Sequence, residues 1–186
     1  MAWIILAVLA LGVLFVIGIY NSLVRLRVQA ENAWSDIDVQ LKRRHDLVPN
    51  LVETVKGYAG HEKQTLEAVI EARNRAISAT TPSTKAEAEG ILAQSLKSLF
   101  ALAESYPQLR AVESFSQLQS SLSQIEEAVQ NARRYYNAVV RDLNTKIQEF
   151  PSNLIANFFN FKLREFFELP NTAERTVPQV NFGQTR

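Results

Sequence analysis

Hydrophobic and polar positions divide the chain into an apolar opening and a polar, helix-forming remainder. From Ala2 to Tyr20, nineteen residues run without a charge, a proline or an amide. A helix of that length rises roughly 28 Å, close to the thickness of a bilayer's hydrocarbon core. Trp3 and Tyr20 stand at its two ends, where amphipathic rings prefer the headgroup level. A cleaved signal peptide needs a basic stretch before the apolar run and a small-x-small site after it. Nothing basic precedes this run, and Gly18-Ile19-Tyr20-Asn21-Ser22 is a poor cleavage site. A buried core helix rarely runs so long without one polar residue. The pattern therefore predicts an uncleaved transmembrane anchor.

Beyond the anchor the spacing is helical almost throughout. Leu23, Leu26, Ala30, Ala33 and Ile37 alternate three and four apart, with Trp34, Leu41, Val48 and Val55 one stripe over. No cap or turn signal interrupts Tyr20 to Arg44, so the anchor is expected to continue directly into this helix. Pro49 removes a backbone donor and is expected to kink it after His45. Lys56, Gly57 and Gly60 mark its end. A second helix fits His61 to about Ala79, carried by Leu66, Val69, Ile70, Arg73 and Ile77. Pro82 and a Thr84/Glu87 capping box open a third, which runs to Tyr106 through Leu92, Leu96, Leu99 and Leu102. The longest follows Pro107, with Phe115, Leu118, Leu122, Ile125, Val129, Ala132, Tyr136, Val139 and Leu143 forming a seam of coiled-coil type. Phe150-Pro151 ends it. A short aromatic helix is expected from Asn153 to about Phe167, then an extended tail.

Helix lengths say where that aromatic segment lands. Elements of about 37, 19, 24 and 43 residues running out, back, out and back nearly cancel, at about 1.5 Å per residue. The chain is thus expected to return to the membrane face where its phenylalanines begin. Phe150, Phe158, Phe159, Phe161, Phe166 and Phe167 are six of the ten in the chain. Three readings stay open for them: a cap on the end of the bundle, an interfacial helix on lipid with Lys162 and Arg164 at headgroups, or contact with another protomer or membrane partner. Arg43 and Arg44, in the polar cluster before Pro49, read either as a charged helix face or as a basic collar touching lipid or a partner.

Composition narrows the chemistry. Twenty basic residues against nineteen acidic give a net charge of +1, which is no electrostatic footprint for nucleic acid. The chain has no cysteine, and its two histidines are His45 and His61. No metal-ligating pair at helical spacing, nucleophile elbow or phosphate loop occurs. His45-Asp46 and His61-Glu62 are adjacent, and neighbours on a helix point about 100° apart. Neither a catalytic, a cofactor-binding nor a metal-binding residue is assigned, and the chain is read as no enzyme. The cluster Arg133 to Asn137 reads as a buried polar contact that fixes helix register rather than a ligand site. Between Gln108 and Gln124 the off-seam positions are mostly serine and glutamine, and Ser116, Ser120 and Ser123 mark a candidate self-association face. Arg25 and Arg27 follow the anchor and no cation precedes it, so the positive-inside rule puts the body in the cytoplasm.

Residues 20–76, from YNSLVRLRVQAENAWSDIDVQLKRRHDLVPN onward, resemble the opening of LemA-family proteins. So do Tyr106-Pro107-x-Leu109, Ala132-Arg133-x-x-Tyr136-Asn137, Phe150-Pro151 and Pro178-x-Val180-x-Phe182. The resemblance implies a bacterial, membrane-anchored helical bundle without established enzymatic activity. Some such proteins carry a lipoprotein signal instead of this anchor. It also implies a role organising or assisting membrane components, since one relative is associated with a bacterial magnetic organelle and family genes often neighbour a membrane zinc protease of the HtpX type. The expectation is an all-α chain: anchor 1–21, elongated four-helix up-and-down bundle 22–150, Phe-rich helix 151–168 packed on the bundle or the membrane, and extended tail 169–186. Its expected place is the bacterial inner membrane, as a single-pass homo-oligomeric scaffold whose partners are the lipid bilayer and other membrane proteins. The alternative is an adaptor or regulator of a membrane protease.

Overall fold

The computed structural model describes residues 1–168, and every regular element among them is a helix. These are α1 (Ala2–Ala59), α2 (Lys63–Ser78), α3 (Pro82–Glu104), α4 (Pro107–Arg110), α5 (Glu113–Gln148) and α6 (Ser152–Phe158). α1 is one run of 58 residues, so the apolar opening and the first body helix are a single rod. Residues 1–18 are exposed, and burial begins at Ile19. The apolar stretch is the one helix among the described residues long and apolar enough to cross a membrane. From Ile19 the predicted stripe goes inward, with Leu23, Ala30, Ala33, Ile37 and Leu41 buried.

α1 continues through Pro49 as helix. Proline has no N–H, so the carbonyl four residues earlier, His45 O, loses its intrahelical donor. Arg73 of α2 supplies a replacement, donating from Nε to His45 O at 2.7 Å. The proline is accommodated because a neighbouring helix satisfies the carbonyl it frees.

α2 and α3 form a hairpin along the outer part of α1. Thr81, not Thr84, is the N-cap of α3: its hydroxyl accepts from Thr84 N, and Thr84 Oγ1 accepts from Thr81 N. The reciprocal box therefore uses a threonine at the third position, and Glu87 is free to pair with Arg75. Lys85 reaches Asp38 at 2.5 Å, which places the hairpin's turn beside the middle of α1. At 1.5 Å per residue Asp38 stands roughly 27 Å beyond Tyr20, so the hairpin stops well short of the apolar run.

The body consequently has two cores. The distal one joins α1 from Val48 outward with α2, α3, α4 and the start of α5, through residues such as Val55, Val69, Leu99, Leu109 and Phe115. The proximal one joins α1 from Ile19 to Leu41 with α5 from Ile125 to Ile147, plus Ala86 at the start of α3, Ala156 and Phe167. Four long helices share a core only in the distal half.

The chain's end departs most from expectation. After α5 and a cis Phe150–Pro151 bond, Ser152 Oγ donates to Lys146 O at 2.6 Å and lies 3.0 Å from Glu149 O, covering carbonyls left open at the helix terminus. α6 then lasts seven residues rather than running to Phe167. Asn160 takes φ 58°, with Phe161 N bonded to Ala156 O and Asn160 N to Asn157 O. That is a Schellman stop with asparagine in the left-handed position, which asparagine tolerates better than most residues. Residues 161–168 continue without helix or strand. The expected extended tail, 169–186, lies outside the described residues.

Candidate functional site

The first candidate surface is the apolar end of α1, the candidate membrane anchor. Trp3 is 84% exposed at the far end of the apolar run. Tyr20, at its near end, meets Phe159 with ring centroids 4.6 Å apart and Phe161 at 5.9 Å. Phe158 in turn lies 5.0 Å from Phe159. The start of the aromatic segment thus sits beside the point where α1 changes from exposed and apolar to packed.

The segment then turns away from that end as an extended strap between α1 and α5. Arg27 lies over the Phe161 ring at 5.4 Å, Arg164 pairs with Glu31 at 2.6 Å, and Phe167 packs on Trp34 with centroids 5.8 Å apart. An extended backbone has no neighbours of its own to bond, and α5 supplies them. Asn144 donates from Nδ2 to Arg164 O and accepts Arg164 N at Oδ1, both at 2.9 Å. Asn137 treats Phe167 the same way, at 3.1 and 2.9 Å. Between them Tyr136 donates its hydroxyl to Glu165 O at 2.9 Å. The register follows from geometry: seven helical residues rise about 10.5 Å, and three extended residues span about 10 Å. Burial pushes the Tyr136 hydroxyl above its ordinary value; Arg164 pulls it down and Glu165 pushes it up.

This corrects two expectations. Tyr136 is buried and packs on Trp34 of α1 with centroids 5.3 Å apart, but its hydroxyl and the Asn137 amide are spent on the strap rather than on α1. Phe167 is 1% exposed and belongs to the proximal core, so it is no surface contact. Phe166 is partly exposed, beyond Arg164 on the strap. Arg164's partner Glu31 is eleven residues past Tyr20, so this part of the strap stands roughly 16 Å or more from the end of the apolar run.

The basic cluster is corrected as well. Arg44 is buried, donating from Nη1 to Glu89 Oε2 at 3.4 Å and lying 2.6 Å from Glu126 Oε2 through Nη2. His45 Nε2 is 2.6 Å from Glu89 Oε1. These groups form a polar layer between the two cores. Arg43 is exposed, donating to Gln40 Oε1 at 3.3 Å. Arg43 and Arg44 stand roughly 35 Å past Tyr20 along α1, far from the apolar run, and of the two only Arg43 is open to a partner. The signal for the layer was present: Arg44 and His45 fall between Leu41 and Val48, and Glu89 lies three before Leu92, on two apolar stripes. His45 is buried while Asp46 beside it is exposed, and no group of three His, Asp or Glu suited to a metal occurs among the described residues.

The remaining candidate is the first half of α5. Phe115, Leu122, Ile125 and Val129 are buried, while Ser116, Gln117, Gln119, Ser120, Ser123 and Gln124 are exposed. Grooves flank this face on both sides. One is shared with Gln40, Arg43 and Leu47 of α1, the other with Leu96, Lys97 and Phe100 of α3.

The sequence profile described as the LemA family matches residues 33–182. Magnetosome protein MamQ 2 of Paramagnetospirillum magneticum is 23% identical, over 80% of this chain and 64% of its own length. The chain thus spans less than two thirds of that relative. Protein LemA of Metamycoplasma hominis is 27% identical over 80% of this chain and 69% of its own. Magnetosome protein MamQ of Magnetospirillum gryphiswaldense is 22% identical over 87% and 70%. None of these names states a catalytic activity.

Proposed function

Because the chain belongs to the LemA family, we propose that it is a non-catalytic, membrane-anchored helical scaffold that self-associates and organises proteins at the bacterial inner membrane, with its body on the cytoplasmic side. The observation that carries this reading is the continuity of α1: the apolar run and the first helix of both cores are one 58-residue rod. A body joined to its anchor without a flexible linker is held upright at a fixed height, which suits lateral assembly. The uncharged serine and glutamine face of α5, with a groove on each side, is the surface through which copies meet. Small neutral side chains let helices approach closely, and a solvated face of this length normally carries more charge. Relatives named for the magnetosome rather than for a reaction support the same reading.

The chain has no cysteine, so single introduced cysteines report contacts without background. Full-length protein carrying Ser116→Cys, Ser120→Cys or Ser123→Cys, oxidised in native membranes, is expected to give disulfide-linked homodimers, while Glu71→Cys on α2 gives none. Equal, low crosslinking at all four positions would sink self-association through α5. A monomer that instead co-purifies with a membrane protease would replace the scaffold by an adaptor.

A further inference from the structure

We propose that the outer stripe of α6, Leu154 and Phe158 together with Phe150 just before it, is a second membrane contact, seated in the headgroup region of the same bilayer that α1 crosses. α6 spends one face on the protein: Ser152 and Ala156 are buried and Ile155 is partly so. Its opposite side is apolar and open. Phe158 is 82% exposed, Phe150 79% and Leu154 61%. Leu154 and Phe158 are four apart and share a helix face. Packing on the protein accounts for the small residues of α6 and, through Tyr20, for one side of Phe159, but not for these three.

Position decides what covers them. Phe158 touches Phe159, and Phe159 touches Tyr20, with centroids 5.0 and 4.6 Å apart. Tyr20 closes the apolar run at the level where burial against protein begins. The stripe is thus continuous with the lipid-crossing surface of α1, at the depth where aromatic rings partition best. The surrounding charge fits a phospholipid surface. Residues 20–30 and 145–163 carry four cations, Arg25, Arg27, Lys146 and Lys162, against one carboxylate, Glu149. An amphipathic element with an apolar face inward and cations at its rim lies in the interface plane. The strap beyond Lys162 climbs away from this level, so its exposed Leu163 and Phe166 are outside the contact.

The test uses full-length protein in vesicles of phosphatidylcholine mixed with phosphatidylglycerol. Nitroxide labels at Leu154→Cys, Phe158→Cys and, as reference, Glu165→Cys sit at exposed positions that the fold does not need. Power saturation with oxygen and with a water-soluble nickel complex reads depth. The oxygen-to-nickel accessibility ratio at 154 and 158 is expected to exceed that at 165 several-fold. A ratio at 158 equal to that at 165 would overturn the proposal. So would labels at 158 shielded from both relaxants and broadened by a label on a neighbouring molecule, since a second copy would then occupy the stripe.

Discussion

The two halves of the body are built on different terms, and the polar layer of Arg44, His45, Glu89 and Glu126 lies between them. In the distal half four long helices bury mostly aliphatic side chains, and the one carbonyl freed by Pro49, His45 O, is taken by Arg73 of α2. In the proximal half only α1 and α5 are long, because the α2–α3 hairpin ends at the level of Asp38. α6 and an extended strap fill the space the hairpin leaves. The strap costs more to hold, since every buried N–H and C=O in it needs a partner from outside. The side chains recruited are two asparagines and a tyrosine, each aimed at backbone. The distal half is therefore specified by shape and apolar area, the proximal half by matched hydrogen bonds and aromatic contacts.

The largest effect is expected at the layer itself. Glu89→Ala removes the carboxylate that buried Arg44 and His45 share and leaves Arg44 only Glu126; breaking a buried ion pair costs about 3–5 kcal/mol. Replacing Arg44, His45 and Glu89 together by apolar residues of similar volume is expected to restore most of that loss. Glu126→Ala should cost less, because the Glu126 side chain is 39% exposed and Arg44 keeps Glu89 as a partner. Thermal unfolding followed by circular dichroism and by Trp34 fluorescence checks whether the halves melt together. Two separate transitions in the wild-type chain would show that the layer divides rather than joins them.

Phe167→Ala comes next. Truncating a buried phenylalanine costs about 3–4 kcal/mol, and the strap can detach without unfolding a helix. The loss should therefore appear locally: rapid hydrogen exchange at residues 161–168 and altered Trp34 emission, with α2 and α3 still protected. Global unfolding at the lower temperature would mean that the proximal half depends on the strap as much as on its helices.

The same contrast explains what could be read from residues alone. The α5 seam from Phe115 to Leu143 is inward as its three-and-four spacing predicted, because a helix buries a stripe and a stripe leaves a period. The strap leaves a misleading one. Its inward contacts at Phe161, Arg164 and Phe167 are three apart, which matches a helix as well as an extended chain clamped at every third residue. Asn160 was the available stop signal, lying amid phenylalanines where a left-handed residue ends a helix. The buried layer was hidden differently: four successive charged residues, Lys42 to His45 with a histidine counted among them, look solvated until the stripe through Leu41 and Val48 is drawn across them. The return of Phe159 and Phe161 to Tyr20 was predictable from helix lengths, since lengths add whatever the side chains do.

A smaller effect tests how the distal half tolerates its one backbone defect. Arg73→Met removes the donor to His45 O and is expected to cost about 1.5–3 kcal/mol, as for a hydrogen bond from a charged group. In a Pro49→Ala background the backbone N–H restored at position 49 can take that carbonyl, and the same change should cost much less. Denaturant titration of the four proteins in the cycle measures the coupling. A full-sized Arg73→Met effect in both backgrounds would mean that Arg73 acts through packing, and that the distal half satisfies its backbone no more locally than the proximal half does.

The smallest effect concerns alkali and the strap alone. Burial raises the Tyr136 hydroxyl above its ordinary value of 10.0, against a lowering from Arg164. A raised value means that the folded state favours the neutral hydroxyl, the form that donates to Glu165 O. Its contribution is then fully present below pH 10.0 and fades as pH rises through the higher folded value. Ionisation would turn a donor into an anion facing a carbonyl oxygen, so the strap should loosen there before the helices melt. Tyr136→Phe removes the hydrogen bond at every pH. It should cost about 1 kcal/mol or less, because Glu165 is exposed and its carbonyl can turn to water. Tyrosinate absorbance together with Trp34 fluorescence, titrated in the wild-type and Tyr136→Phe proteins, separates the two contributions. An alkaline fluorescence step that survives in Tyr136→Phe would assign the loosening to another group and remove the tyrosine from the clamp, leaving Asn137 and Asn144 to hold the strap.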